Sequence, residues 1–527
     1  MQKSARLFLT VAVALVASRN GIAATCEQWA ARLVSAQGQV EIQPSGKPSW
    51  TPVEAEQVFC PGDKIRTMIR SRASLLLPNQ TYISLDQDTT VVFSKVKAEE
   101  PSWLELLTGA LYARSRTPKP LDIRTPFINA AIKGTEFLIK AGPQGAQVTV
   151  FEGEVETSNA AGRIVLKDGQ TAVAARDEAP HLALEMRPED SVQWALYFPP
   201  LVDYTALQAR TRDPDIAEGI RRYADGDVAG ALAVLDKVPE ASRDADFAAL
   251  YAGLLLSVGR VDEAEPLLAM YMGEKTPAPI DALRSVIALA RNQKSEALRL
   301  ANAAVQTDPA SASGWMAQSY ARQADFDLEG ALESIDHAAR LDSNDALVQA
   351  RRAELLAGLG RWSEARKAAE NAVRINPRHP RAHVVLGFVE LMDGDTSEAL
   401  ASFRKGTELD SADPLARFGT GMALVRRGEL KEGTAAIETA ASLDPSDALI
   451  RSYLGKAYYE QKRNAVAEKQ FDLAKSFDPK DPTPWFYEAI KKQTENRPVE
   501  AFKELQRAIE LNDNRAVYRS KLALDDD

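Results

Sequence analysis

Cysteine is nearly absent from this chain: Cys26 and Cys60 are the only two among 527 residues, which allows at most one disulfide. Histidine is almost as rare, with four copies. His379 and His383, in "HPRAH", have the i, i+4 spacing of a helical metal pair. But Pro380 stands where one helical unit ends and the next begins, and no Cys, Asp or Glu arrangement offers a third ligand. The pair reads as surface and inter-helix histidines, and no cofactor or metal is expected. The chain also lacks a G-x-S-x-G elbow and a G-x-x-x-x-G-K-[ST] loop. Glu99-Glu100 reads as solvated loop charge rather than a catalytic dyad, and the "NQT" at 79–81 carries no weight. These absences argue against an enzyme. Positive charge is in deficit too: the formal net charge is −10, which argues against a nucleic-acid partner.

Long apolar runs are missing as well. Leu7 to Ala17 is a run of eleven, and a membrane-spanning helix needs about 20. Lys3 and Arg6 precede this run, and small residues surround Ala23 and Ala24 after it, the pattern of a cleaved signal peptide over 1–24. Removing Lys3, Arg6 and Arg19 takes the net charge from −10 to −13. In an oxidising compartment Cys26 and Cys60 most simply pair. The alternative is a lipid-modified Cys26, since "AATC" ends in cysteine. Against that, Ala23 and Thr25 do not suit the lipidation pattern, and Cys60 would be left over.

What is present falls into two halves with different periods. From residue 31 to about 176 the pattern alternates with period two, as in "QVEIQ", "ASLLLPNQTYISLDQDTTVVF", "QVTVFEGEVET" and "GRIVLKDGQTAVAA". Short strands broken by Gly, Pro, Asn and Asp turns predict an all-β roll, sandwich or solenoid over 25–176. Residues 177–211 carry Pro180, Pro188, Pro199 and Pro200 around Trp194, Tyr197 and Phe198. That is too much apolar area for a free linker, so this connector is expected to dock one domain on the other.

From about residue 212 the period is helical. Ala297, Ala331, Ala365, Ala399, Gly433, Ala467 and Ala501 recur every 34 positions. Ala304, Ala338, Ala372, Gly406, Ala440, Ala474 and Ala508 follow seven places later. Pro309, Pro377, Pro445 and Pro479 close units, while Gly360, Gly394 and Gly428 divide units into two helices. This helix–turn–helix period resembles the tetratricopeptide repeat, with Trp315, Trp485, Gly387, Gly421 and Gly455 at further matching positions. Two earlier units, carrying Ala231 and Ala264, are weaker. Nine units are expected over 212–515, starting near 212, 245, 278, 312, 346, 380, 414, 448 and 482, with 516–527 a partial helix or tail. The chain would then be a shorter relative of larger envelope proteins, or a truncated one.

The stretch "TPFINAAIKGTEFLI" is similar to the signature of the FecR-type periplasmic domain, through Thr125, Pro126, Lys133, Gly134, Thr135 and Phe137. "PGDKIRT" (Gly62, Asp63, Thr67), "VFEGEVE" (Glu152, Gly153, Val155) and the "DGQ" at 168–170 fit as well, so the resemblance covers roughly 30–175. Lys133 stands where an arginine is usual. Such domains carry no known chemistry, so Gly134-Thr135 is expected to be a corner of the β fold. The FecR-type regulators place an anti-sigma segment and a membrane helix ahead of this domain, where this chain has a signal peptide.

Together these resemblances imply a multidomain protein, an all-β FecR-like domain followed by an all-α solenoid. They imply a non-enzymatic periplasmic scaffold that binds a protein or peptide of the cell envelope, an outer-membrane protein among the candidates, with no nucleic acid and no span after signal cleavage. The alternative is an envelope sensor that relays to a membrane protein. In tetratricopeptide units the second, fifth, ninth, twelfth and thirteenth positions of the first helix face a concave groove. By register these are Met316 and Tyr320, then Val384, Phe388, Leu391 and Met392, then Leu415, Phe418, Met422 and Val425, and finally Tyr459, Phe486 and Ile490. Lys456 is nearly the only lysine among them. Aromatic and methionine side chains suit an apolar or amphipathic segment.

Overall fold

The computed structural model describes residues 26, 28–79, 81–95, 102–114, 121–132, 135–183, 198, 201, 211–224, 227–273 and 275–511. The signal-peptide reading, Lys133 and Gly134, Trp194 and Tyr197, and the expected tail at 516–527 lie outside them.

The first half is built of strands. They are β1 (Ala31–Gln37), β2 (Val40–Gln43), β3 (Thr51–Pro52), β4 (Val58–Phe59), β5 (Lys64–Thr67), β6 (Arg72–Leu76), β7 (Tyr82–Leu85), β8 (Thr90–Lys95) and β9 (Ser102–Arg114). Then come β10 (Leu121–Arg124), β11 (Asn129–Ile132), β12 (Glu136–Ala141), β13 (Gly145–Glu152), β14 (Val155–Asn159), β15 (Gly162–Leu166), β16 (Thr171–Ala175) and β17 (His181–Ala183). One sheet runs β4-β1-β6-β7-β9-β12-β13-β16-β17, the other β3-β2-β5-β8-β9-β10-β11-β14-β15. Among the described residues only β9 with β10 is parallel.

β9 belongs to both sheets and turns the corner at Gly109, whose φ is +97° and where a Cβ would overlap Thr89. Alternation makes the core: Val40 and Ile42, Ile65, Ala73 and Leu75 point inward among Phe59, Phe93 and Phe137. β17 extends the sheet beyond the boundary expected at 176, through three residues too few to show a period. Cys26 and Cys60 are joined by a disulfide, with Cα atoms 5.9 Å apart.

Among the described residues the second half contains nine helix pairs. The pairs are α1 (Pro214–Ala224) with α2 (Val228–Leu235), α3 (Ala245–Ser257) with α4 (Val261–Ala269), α5 (Ala278–Ala290) with α6 (Lys294–Thr307), and α7 (Ala312–Ala324) with α8 (Leu328–Leu341). They continue as α9 (Ala346–Gly358) with α10 (Trp362–Ile375), α11 (Pro380–Asp393) with α12 (Thr396–Leu409), and α13 (Pro414–Arg426) with α14 (Leu430–Leu443). The last are α15 (Ala448–Glu460) with α16 (Asn464–Phe477), and α17 (Thr483–Thr494) with α18 (Pro498–Leu511).

The turn chemistry explains the boundaries. Gly360, Gly394 and Gly428 adopt φ of +74°, +96° and +88° at the ends of first helices. Asp345, Asp413 and Asp447 accept backbone N–H groups at the starts of α9, α13 and α15, each cap worth about 1 kcal/mol. The recurring small residues let helices approach. The Phe403 ring fills the space that a Cβ at Gly387 or Gly419 would need, and Phe471 does the same at Gly455. From the connector, Phe198 and Leu201 are buried in the solenoid core with Ile216, Ile220 and Leu235.

Candidate protein-binding groove

Packing between units sets the curvature. Consecutive first helices touch, α5 on α7, α9 on α11, α11 on α13 and α15 on α17, whereas consecutive second helices have no comparable packing. The first helices therefore lie on the shorter, inner arc, and a concave face follows.

On that face the expected lining divides. Met316, Val384 and Phe418 are 1%, 0% and 3% exposed, and Leu391 is 3% exposed. The fifth position is buried among the helices, Val384 against Gly406 of its own second helix, and Leu391 at the twelfth is buried as well, which removes these side chains from the lining. Phe418 packs there against Phe388 and Tyr453, with ring centroids at 6.1 and 5.2 Å, and Tyr453 continues to Tyr487 at 5.3 Å. Phe486, at the same position in the last unit, is half-buried. Tyr320, Phe388, Leu415, Met422, Val425 and Tyr459 are also half-buried, while Met392 (48%) and Ile490 (38%) are exposed. Lys456 is held by Glu460 at 2.7 Å. Tyr320 lies apart from the others under the Arg351 guanidinium, 3.9 Å from its ring centroid. What remains is an apolar strip across the last four units.

Two arrangements that no local motif announces tie distant units together. In the first, the sandwich sits between distant units. Arg70 reaches Asp236 (2.8 Å) and Glu263 (2.9 Å), and Arg260 reaches back to Asp86 (3.0 Å) at the second unit. At the seventh and eighth units, Arg114 donates to the Ala441 carbonyl and pairs with Glu136 at 3.2 Å, while Arg451 stands 3.8 Å from Glu136. Tyr82 shares a hydrogen bond with Thr439 at 3.0 Å, and Val34 and Tyr82 pack on Leu443.

In the second, the solenoid meets itself. Asn292 donates to the Phe477 carbonyl (2.6 Å), Lys294 pairs with Asp478 (2.8 Å) and Lys480 with Asp325 (2.8 Å). A sequence signal for the docked face does exist. "LYA" in β9 and "FLI" in β12 are apolar without alternation, as strands covered on both faces require.

Burial shapes the electrostatics of these turns. Asp410 is pushed up to about 6 by burial and by Asp413, and Asp447 up to about 7 by burial and by Asp444. Burial likewise raises Asp86 against the opposing pull of Arg260.

The residues of the β-domain signature hold turns. Thr125 Oγ1 accepts the Ile128 N–H (2.9 Å), so Thr125-Pro126 closes the β10–β11 turn. Thr135 is buried and packs against Gly153, whose φ is +94°. Phe137 is in the core, and Asp63 accepts the Ser45 and Cys60 N–H groups at 2.8 Å each. Gly134 itself lies outside the described residues. Of the histidines, His383 donates its Nε2–H to the Pro377 carbonyl at 2.8 Å, and among the described residues no group of three metal-ligating side chains occurs. No described helix is long and apolar enough to cross a membrane.

Comparison with known proteins places these parts. The model of the FecR protein family matches residues 63–156, and a tetratricopeptide repeat model matches 351–414 and 416–482. The chain thus carries a FecR domain followed by tetratricopeptide repeats. No curated protein matches it significantly. Among solved structures it is similar to the Cut9–Hcn1 hetero-tetramer of the APC/C, at 16% identity and a TM-score of 0.44, over 57% of this chain and 56% of that one. It is also similar to a tetratricopeptide repeat protein from Parabacteroides merdae, at 18% identity and a TM-score of 0.33, over 47% of this chain and 99% of that one.

Proposed function

We propose that this protein, a FecR domain joined to a tetratricopeptide solenoid, is a non-enzymatic periplasmic scaffold whose groove holds an apolar or amphipathic segment of an envelope protein. The observation that carries the reading is the strip of Phe388, Met392, Leu415, Met422, Tyr459 and Phe486 on the inner arc, half-buried or exposed and poor in charge. Repeats of this kind generally bind proteins, and FecR proteins are associated with the envelope. A photo-crosslinking residue at Met392 or Met422 tests it in living cells, with Lys431 on the outer arc as control. One product specific to the inner positions is expected. The same products from all three positions would sink the reading.

The sensor reading has its own support in the buried contacts between Glu136 and Arg451. Coupling of that kind lets an event at the sandwich reach the repeats. If Glu136→Gln leaves the Met392 crosslink unchanged while an envelope-stress response is lost, the sensor is preferred.

A further inference from the structure

The sandwich sits on the seventh and eighth units through a recurring set of repeat positions. Arg417 of α13 meets Glu56 at 4.0 Å, and Arg451 of α15 meets Glu136 at 3.8 Å. On the second helices, Tyr82 donates to the Ala435 carbonyl of α14 at 3.4 Å and shares a hydrogen bond with Thr439, and Lys469 of α16 pairs with Glu152. Glu136 and Glu152 are cross-strand neighbours on β12 and β13. The groove where a first helix meets a second thus receives carboxylates from adjacent strands.

Counted back by the 34-residue period, these positions fall in the fifth unit at Gln349, Lys367 and Asn371. There they line an open cavity of about 450 Å³, together with Arg352, Glu370 and Arg374. Lys367 and Arg374 are exposed and make no ion pair among the described residues, whereas Arg352 is held by Asp336 at 2.7 Å and Glu370 by Arg366 at 3.9 Å. The positive surplus is local. Residues 346–379 carry seven Arg and Lys against three Glu, while 312–345 carry two against seven acidic residues and 380–413 three against seven. Nor do the cations follow the repeat. At the places of Arg352, Lys367 and Arg374 the preceding unit has Gln318, Glu333 and Arg340, and the following unit has Leu386, Ala401 and Glu408. Helix packing requires the small residues in every unit, but it does not require these three side chains.

We propose that the groove of the fifth unit is a second docking site, which takes a separate protein presenting carboxylates from adjacent β-strands. The sandwich of this chain supplies the template, since Glu136 and Glu152 are what the equivalent grooves hold. Complementary charge of this kind sets orientation and encounter rate, and exposed charges lose their pull as salt is raised. Lys367 and Arg374 stand on α10, a helix of the outer arc, so the site is separate from the inner strip and neither reading needs the other.

The test uses the full chain and two labelled synthetic β-hairpins, one with glutamates at cross-strand positions and one with glutamines there. Fluorescence anisotropy at low ionic strength should show binding of the glutamate hairpin alone, and added salt should abolish it. Lys367→Glu with Arg374→Glu should weaken that binding by about tenfold or more. Lys431→Glu with Lys503→Glu makes the same change in net charge at exposed positions elsewhere, and should keep the affinity within about twofold. All four side chains are exposed, so the fold tolerates either pair of substitutions. No binding of the glutamate hairpin, equal binding of the glutamine one, or equal loss in both double variants overturns the proposal. Displacement of the hairpin by inorganic phosphate or by phosphatidylglycerol vesicles also overturns it, because the groove would then be a site for phosphate groups.

Discussion

Glu136 of the sandwich stands 3.8 Å from Arg451 of the solenoid, and Arg114 reaches past it to the Ala441 carbonyl. Arg451 is fully buried and the Glu136 side chain is 12% exposed. One carboxylate thus faces two guanidinium groups at a domain boundary. Removing it takes away one of the carboxylates facing the buried Arg114 and Arg451 guanidinium groups and leaves Asp444 near both, at a cost of up to roughly 3–5 kcal/mol. Glu136→Gln is expected to separate the melting of the sandwich from that of the repeats. A calorimetric trace identical to that of the wild type would show that the contact contributes nothing.

The strip and the seam are separable by substitution. Phe418→Ser removes a ring packed between Phe388 and Tyr453 and should cost about 3–5 kcal/mol. Met392→Ser, on a side chain 48% exposed, should change stability by no more than about 0.5 kcal/mol. Urea unfolding of the two variants measures both. Equal losses would mean that Met392 belongs to the packing, and the proposed lining would shrink accordingly.

Gly109 is a second point of failure. Its φ of +97° and the adjacent Thr89 leave no room for a side chain where β9 passes between sheets. Gly109→Val is expected to cost about 1–3 kcal/mol in backbone strain, with overpacking added. The sandwich should melt earlier or fail to fold while the helical signal persists. A sandwich that melts at the wild-type temperature would refute the corner.

Stability should also depend on pH in a defined direction. Asp410 and Asp447 titrate near 6 and 7 in the fold, against about 4 in an unfolded chain. The folded state holds these protons more tightly, so their contribution is greatest at low pH and is lost as pH rises from about 4 through 7. The denaturant midpoint of the repeats should therefore fall less between pH 5 and 8 in the Asp410→Asn, Asp447→Asn double variant than in the wild type. Asparagine preserves the helix cap at Asp447, so the comparison isolates charge. A double variant with an undiminished pH dependence would assign the effect to other groups.

Local rules made the repeat legible in the sequence. The spacing of Ala297, Ala331 and Ala365 and the glycines at 360, 394 and 428 are requirements of a single helix pair, so they repeat with it. The strands were legible for the same reason, since alternation is enforced residue by residue. Thr135 and Gly153 could be recognised as parts of a signature, but not as neighbours that pack on each other. What the tertiary structure alone decided is which positions of the inner helices stay open. Phe418 and Met422 belong to one helix, and only the approach of α11 and α15 buries the first and leaves the second half-exposed. It also decided that Lys294 meets Asp478 and that Glu136 meets Arg451. Those pairs depend on the pitch of the superhelix, a sum of small rotations over five units that no single unit's sequence contains.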